Sequence, residues 1–239
     1  MMFDHFISLG AWCQTAYQIE KHNFPHTKSC FDWLVTPWDG LISILETQGA
    51  RFGTAATYDP ISDCIKCDHY GVLYAHEFKK DSLGKPVITD EQLLNCRSKL
   101  LYKHNKMATT LEAGGSVLFV RFGGAVTPAT AFPHNRDFNP RNEADLNHLV
   151  QLLQEKYLAN TVSLLYLWQE PIAPHNLDLN KISSSIMVMR MPYVQTDAVT
   201  WMGNTDVWAA IFERVRILQY MRGKLHAREP GYYVSPNYF

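Results

Sequence analysis

The sequence predicts an α/β protein in which helices flank a mostly parallel sheet in three layers, of the flavodoxin-like kind. In the second half of the chain, continuous apolar segments such as 116–122 and 161–168 alternate with helical patterns such as 143–157. This alternation is typical of parallel strands that are buried on both faces. The chain shows no linker-like stretch and no internal repeat, so we expect one domain over residues 1–239, with an irregular insert around 50–90.

The individual elements are predicted from breaks in the apolar pattern. An apolar run over residues 3–9 ends at Gly10 before a helical segment, which indicates a strand, a glycine turn and a helix. A second helix begins near residues 41–45, and either Asp39 or Gly40 is expected near its N-cap. The later predicted elements are a strand at 70–75, a helix at 89–112 with Thr89 as N-cap, a strand at 116–122, a helix at 143–157, strands at 161–168 and 186–191, and a helix at 207–220.

The composition limits the classes of partner. The chain has 22 basic and 23 acidic residues, so it lacks the basic excess of nucleic-acid and membrane-surface binders, and we expect neither nucleic acid nor membrane insertion. Five cysteines without framework spacing, and a start without a basic leader region, favour a cytoplasmic protein with reduced thiols. The Gly123-Gly124 pair has neither dinucleotide nor phosphate-loop spacing, so we expect no cofactor.

Cys13 is the first candidate for chemistry. It follows Gly10 at the point where the first strand turns into the first helix, and α/β sheets bind ligands beyond the carboxyl ends of their strands. A helix N-terminus favours negative charge, so we expect a lowered thiol pKa and a reactive thiolate. The N–H groups of the same turn suit an oxyanion or a phosphate. The alternative is that Cys13 is a small buried hydrophobe facing the sheet.

A cysteine nucleophile also needs a base within hydrogen-bond reach. The chain has ten histidines, and His76 is favoured because it follows the predicted strand at 70–75. His69 and His134 are the alternatives, and the pattern alone does not choose among the three.

A second cluster, Cys64-Ile65-Lys66-Cys67, has the spacing of half a zinc site or of a redox pair. A structural zinc site normally shows two such pairs, and here there is one, so we expect no metal.

Two further groups have both a structural and a functional interpretation. Asp32 and Trp33 lie in an aromatic stretch, where the carboxylate either caps a turn or binds sugar hydroxyls beside a stacking ring. Arg121 ends a predicted strand and suits a substrate phosphate or carboxylate, or equally an internal acid.

Three segments in order resemble a bacterial family of papain-like cysteine peptidases (DUF1796): Ile7-Ser8-Leu9-Gly10-Ala11-Trp12-Cys13-Gln14, Ser29-Cys30-Phe31-Asp32-Trp33-Leu34-Val35-Thr36-Pro37, and Tyr70 to Phe78. The resemblance implies that Cys13 is the nucleophile and His76 the base, with Asp32 as the acid of the shared motif. Cys30 stands where the family pattern has a proline. The resemblance makes a papain-like α+β fold the alternative architecture. The expected substrate contacts are Ser8, Gly10, Gln14, Trp33 and Arg121.

The leading hypothesis is a cysteine-dependent acyl-group enzyme, a peptidase or other hydrolase, acting on a small-molecule, sugar or peptide substrate. The opening of the chain also resembles capsule-biosynthesis acyltransferase-like proteins, which makes a transferase the alternative. In that alternative, acyl or glycosyl transfer occurs on a surface polysaccharide or sugar conjugate, Trp33, Trp38 and arginines bind the sugar, and Cys13 is structural. A third hypothesis is a non-catalytic binding protein.

Overall fold

The computed structural model describes residues 3–123, 138–157, 161–169, 177–191 and 202–226. In chain order, the elements are β1 (His5–Ser8), α1 (Cys13–Lys21), α2 (Trp38–Thr47), β2 (Ala56–Asp59), β3 (Cys64–Cys67), β4 (Leu73–Tyr74), α3 (Asp90–Glu112), β5 (Ser116–Phe122), α4 (Glu143–Lys156), β6 (Thr161–Gln169), a 3₁₀ turn (Leu179–Lys181), β7 (Ile186–Met191) and α5 (Thr205–His226).

Four strands form the central sheet in the order β1-β5-β6-β7, and each neighbouring pair is parallel. The register places Phe119 of β5 opposite Ile7 of β1 on one side and Leu164 of β6 on the other. This sheet with its flanking helices confirms the predicted fold class. Because the sheet is parallel throughout, the alternative papain-like α+β architecture is not the one adopted.

Helices cover both faces of the central sheet. On one face, Ile19 of α1 and Phe212 of α5 pack in a buried cluster with Leu118 of β5. On the other face, α2, α3 and α4 contribute to a second cluster that includes Val117 and Phe119 of the same strand. Alternate residues of β5 therefore enter opposite cores, which explains why its sequence is continuously apolar.

Residues 50–90 contain a second, antiparallel sheet in the order β2-β3-β4. The sequence predicts only the last of these strands, at 70–75, and the structure shortens it to Leu73–Tyr74. The strands β2 and β3 are missed because β2 has no buried residue and both strands lie between turn-forming glycines, prolines and aspartates.

The helix boundaries test the capping predictions. Thr89 is the N-cap of α3, as predicted, and its hydroxyl accepts from the Gln92 N–H at 3.2 Å. Helix α2 begins at Trp38, three residues earlier than predicted, with Pro37 as its extended N-cap and Asp39 in its first turn. Among the described residues, no helix combines the length and the apolarity needed to cross a membrane.

Candidate active site

The chain passes from β1 into α1 through two residues in the left-handed backbone region, Gly10 (φ +73°) and Ala11 (φ +65°). Glycine is favoured at the first position by its backbone and also by space, because a Cβ would lie 3.0 Å from Thr36 Oγ1. The Gly10 N–H donates to Ser8 Oγ at 3.1 Å, and the Thr36 N–H donates to Ala11 O at 3.2 Å. The turn thus has one defined shape, which makes Cys13 the first residue of α1.

The N-terminus of α1 is open to an anion. Its N-cap residue, Trp12, is extended and makes no side-chain capping hydrogen bond, and the first turn contains no acidic residue. The first N–H groups of a helix have no acceptor within the helix. Together with the helix dipole, these N–H groups can stabilise negative charge that develops next to Cys13.

His76 is the histidine that the structure brings to Cys13. Its Nε2 lies 4.0 Å from Cys13 Sγ, at the outer limit of a hydrogen bond to sulfur. The imidazole is exposed and stands edge-to-face with the ring of Trp33, with ring centroids 5.9 Å apart and an interplanar angle of 83°. Catalytic hydrogen bonds are often long before a substrate binds. The arrangement therefore suits proton transfer between thiol and imidazole.

The pKa of Cys13 differs from the sequence prediction. Burial raises the pKa of its thiol to about 11, and the nearby charge of Asp32 raises it further, while a backbone N–H acts in the opposite direction. The sequence predicts a lowered pKa from the helix N-terminus alone. Desolvation of the thiolate outweighs that local effect. At neutral pH the isolated thiol is protonated, so its reactivity depends on a base that takes the proton.

Asp32 is buried and stabilises the turn in which it lies. Its carboxylate accepts from the Ser29 N–H at 3.1 Å and from the Ser29 hydroxyl at 3.0 Å. Its Oδ1 also lies 3.5 Å from His26 Nε2. Among the described residues, no hydrogen bond joins Asp32 to His76. Asp32 therefore shapes the segment that carries Trp33 and contacts a different histidine from the one beside Cys13.

That second histidine, His26, lies between two carboxylates. Its Nδ1 is 3.2 Å from Glu20 Oε1, opposite the contact with Asp32, and its side chain is only 5% exposed. Burial opposes the charged imidazolium, but hydrogen bonds and charge from Asp32 and Glu20 raise the pKa of His26 overall. The sequence gives no signal for this contact, because a tertiary pairing of residue 26 with Phe6 of β1 creates it.

Arg121 is fully buried at the end of β5 and points at backbone oxygens. Its guanidinium donates to the carbonyls of Leu9 (2.9 Å), Thr36 (2.8 Å) and Phe138 (3.0 Å), and it lies over the ring of buried Trp38. Burial lowers the pKa of Arg121 to about 9. Arg121, which the sequence predicts as a substrate contact, thus binds three separate segments of the chain next to the turn at Gly10.

Two other expected substrate contacts also have internal partners. When the Gln14 amide is oriented to satisfy its surroundings, its oxygen accepts from the Gly203 N–H at 3.2 Å and from Trp208 Nε1 at 3.3 Å. Ser8 is buried, and its hydroxyl accepts from the Gly10 N–H. Both residues therefore hold the start of α1 in place against the rest of the fold.

The remaining candidates are two cysteines and two histidines, of which Cys64 packs against the buried cluster that contains Ala11 and Leu73. Cys64 and Cys67 occupy β3, where residues three apart point to opposite faces, and neither forms a disulfide. No group of three or more potential metal ligands occurs in the part of the chain that the structure describes. His69 is exposed in the turn after β3. His134 lies outside the described residues.

Comparison with known proteins gives one result. A family described as "Putative papain-like cysteine peptidase (DUF1796)" matches residues 4–164, a stretch that includes Cys13, Asp32 and His76. No curated protein and no solved structure gives a significant match.

Proposed function

The chain belongs to the DUF1796 family, and we propose that it is a cysteine-dependent acyl-group enzyme with Cys13 as nucleophile and His76 as general base. The observation that carries the proposal is the distance of 4.0 Å between Cys13 Sγ and His76 Nε2 at an uncapped helix N-terminus. A thiol, a proton acceptor and oxyanion donors are the three groups that acyl transfer through a thioester requires.

Because burial raises the pKa of Cys13, the proposed mechanism begins with removal of the thiol proton. His76 Nε2 takes the thiol proton as Sγ attacks the acyl carbon, and the resulting oxyanion faces the N–H groups at the start of α1. The bond from the acyl carbon to the leaving nitrogen or oxygen then breaks, and His76 returns its proton to that atom. A water molecule, deprotonated by His76, attacks the thioester, the free acid leaves, and Sγ regains its proton.

Three other residues act in this proposal by positioning. Gly10 gives the turn its left-handed shape. Asp32 holds the turn at residues 29–32 that precedes Trp33, and Trp33 in turn contacts the ring of His76. Neither the Asp32 carboxylate nor the Gly10 backbone is hydrogen-bonded to Cys13 or His76. We therefore assign both residues an indirect role, in which they orient the segments that carry the two reacting groups.

The proposed substrate class is supported by the described side chains beside Cys13. The Trp33 side chain is half-buried and lies next to the exposed His76, so it offers an apolar edge to a peptide or a sugar. Trp38, which the sugar-transferase hypothesis places at the sugar, is buried, and so is Arg121, one of the arginines of that hypothesis. We therefore favour hydrolysis of an acylated or peptidic substrate that rests on Trp33.

Cys64 provides an internal control for the test, because it is also half-buried and burial also raises its pKa. The wild type and a His76→Gln variant are alkylated with iodoacetamide between pH 5.5 and 10, and each cysteine is followed by peptide mass spectrometry. We expect Cys13 in the wild type to react at pH 7 at least about tenfold faster than Cys64. In His76→Gln, the reaction at Cys13 shifts to strongly alkaline pH, while Cys64 is unaffected.

The same variants are assayed with a panel of peptide, ester and thioester substrates. Loss of turnover in both Cys13→Ser and His76→Gln, but not in Cys64→Ser, supports the proposed pair. Equal pH profiles for Cys13 and Cys64 in the wild type, together with full turnover in Cys13→Ser, contradict it and leave the alternative in which Cys13 is structural.

A further inference from the structure

Glu77, the residue after His76, carries a buried carboxylate. Its side chain is 2% exposed, and its Oε2 accepts from Lys99 Nζ at 2.6 Å. The other oxygen, Oε1, is buried and has no hydrogen-bond partner. The carboxylate also lies close to Cys96 of α3, because its charge adds to burial in raising the pKa of that thiol to about 12.

This carboxylate is costly to keep buried. A charge removed from water must be compensated by its partners, and an unpaired oxygen costs further free energy. Lys99 itself is half in solvent, with 51% of its side chain exposed. The ion pair is therefore poor evidence of a contribution to the free energy of unfolding.

The ion pair connects the segment that carries His76 to helix α3. Glu77 lies in the segment after β4, and Lys99 lies near the middle of α3. A hydrogen bond joins the same segment to the same helix, since the Lys79 N–H donates to Gln92 Oε1 of α3 at 2.6 Å. The segment that bears His76 is therefore tied to a long helix on its C-terminal side.

His76 has little else to orient it. Within the described residues, its side chain contacts Cys13 Sγ and the ring of Trp33, and no carboxylate or amide binds its Nδ1. In cysteine and serine enzymes a third polar group usually fixes the base. Here the backbone that carries the imidazole must be fixed instead.

We propose that Glu77 and Lys99 are positioning residues whose ion pair holds His76 within reach of Cys13. This inference rests on the proposed function, since the ion pair would matter by keeping His76 next to Cys13. Neither residue touches the reacting atoms. Their effect on reactivity arises through the backbone between residues 76 and 77.

The test compares Lys99→Met, Lys99→Arg and a control, Lys181→Met, which removes an exposed ion pair with Asp178 beside the opposite end strand of the sheet. The readout is the His76-dependent alkylation rate of Cys13 at pH 7. We expect this rate to be about 10- to 100-fold lower in Lys99→Met, because small displacements of a catalytic group have effects of that size. Lys99→Arg restores the cation and the rate, and Lys181→Met behaves as wild type.

Glu77→Gln is the second variant in case Lys99→Met does not fold, since it keeps the shape and an oxygen for Lys99 while removing the negative charge. It is expected to show a smaller loss in the same direction. A merely structural ion pair would lower the melting temperature and leave the pH profile of Cys13 unchanged, and that result in either variant overturns the proposal.

A second readout separates this inference from the proposed function. The ring of Trp33 shifts the NMR signals of the His76 imidazole, whether or not His76 acts on Cys13. If wild-type Cys13 reacts independently of His76, the proposed function fails. The ion pair is still supported if the His76 signals move towards random-coil positions in Lys99→Met but not in Lys99→Arg. Unchanged signals in Lys99→Met overturn it.

Discussion

Cys13 and Cys64 are half-buried thiols in different surroundings. Burial raises the pKa of both, and negative charges raise it further in each case, from Asp32 at the first and chiefly from Asp63 at the second. Only Cys13 has an imidazole, that of His76, at 4.0 Å. A neutral imidazole accepts a proton near pH 7 far better than a carboxylate does. Burial therefore disfavours the thiolate at both positions, and in the proposed function the imidazole beside Cys13 distinguishes the two thiols.

The backbones around the two thiols are held in different ways. The corner between β1 and α1 depends on Gly10 and on the buried guanidinium of Arg121. The strand β3 is held by antiparallel pairing on both sides, with Lys66 pointing into solvent. The corner should thus be sensitive to single side-chain changes, and the small sheet should tolerate them.

The largest expected difference comes from removing a cation of each region. Arg121→Met leaves the carbonyls of Leu9, Thr36 and Phe138 buried without their donor, so we expect a loss of about 3 kcal/mol in the free energy of unfolding. Lys66→Met removes an exposed side chain and should change it by less than about 0.5 kcal/mol. Urea unfolding of both variants is the measurement. Equal midpoints would mean that the guanidinium does not hold the corner together.

An intermediate effect is expected from one added methyl group in each region. Gly10 and Gly71 both have left-handed backbone (φ +73° and +66°), so an alanine at either position costs about 1 kcal/mol in strain. At Gly71 the nearest atom to the new Cβ is Pro37 Cγ at 3.6 Å, an ordinary contact, whereas at Gly10 Thr36 Oγ1 lies at 3.0 Å.

Gly10→Ala should therefore destabilise the protein by about 1 kcal/mol more than Gly71→Ala. It should also slow alkylation of Cys13, because the new methyl group displaces the turn that positions the thiol. Thermal unfolding and the alkylation rate are measured on both variants. Identical results at the two glycines would show that Thr36 yields freely and that the turn is not under steric control.

The smallest expected difference is an opposite response to pH. The folded pKa of His26 is raised, so its stabilising contribution is present below about pH 6.5 and is lost as the pH rises through the folded pKa. A hydrogen bond from Ser62 lowers the pKa of Asp59 in β2, so the contribution of Asp59 is present above about pH 3.8 and is lost as the pH falls.

Melting temperatures between pH 3 and 9 separate the two contributions. His26→Gln should remove about 1 kcal/mol at pH 5.5 and less at pH 8.5. Asp59→Asn should cost only a few tenths of a kcal/mol, because the carboxylate is largely solvated, and only above pH 4. A loss in His26→Gln that does not depend on pH would show that the imidazole is not charged between its two carboxylates.

The central sheet could be predicted because its strands are buried on both faces. Residues such as Val117 to Val120 give β5 a continuous apolar run that the sequence displays directly. The small sheet could not be predicted in the same way, because the side chains of β2 are half-exposed or exposed and alternate without a clear apolar face. Local apolarity is a reliable guide only where burial is complete.

The candidate site could be predicted in part. The strand, glycine and helix pattern correctly locates Cys13 at a helix N-terminus, and the resemblance to a family singles out His76. The direction of the thiol pKa could not be predicted, because it depends on how much protein covers Cys13. The same is true of Arg121, whose acceptors are carbonyls of segments that are remote in sequence. Roles for these residues stay predictions until the variants above are measured.

Strand β1, which leads into the turn at Gly10, is the end strand of the described sheet, yet its outer edge is already occupied. The Phe6 N–H donates to Pro25 O at 2.9 Å, and the Phe6 carbonyl accepts from the Thr27 N–H at 3.0 Å. A second chain that sought to extend the sheet at this edge would first have to displace this segment. The corner at Gly10 can thus lie at the end of this strand without the strand also offering a template for intermolecular strand pairing and aggregation.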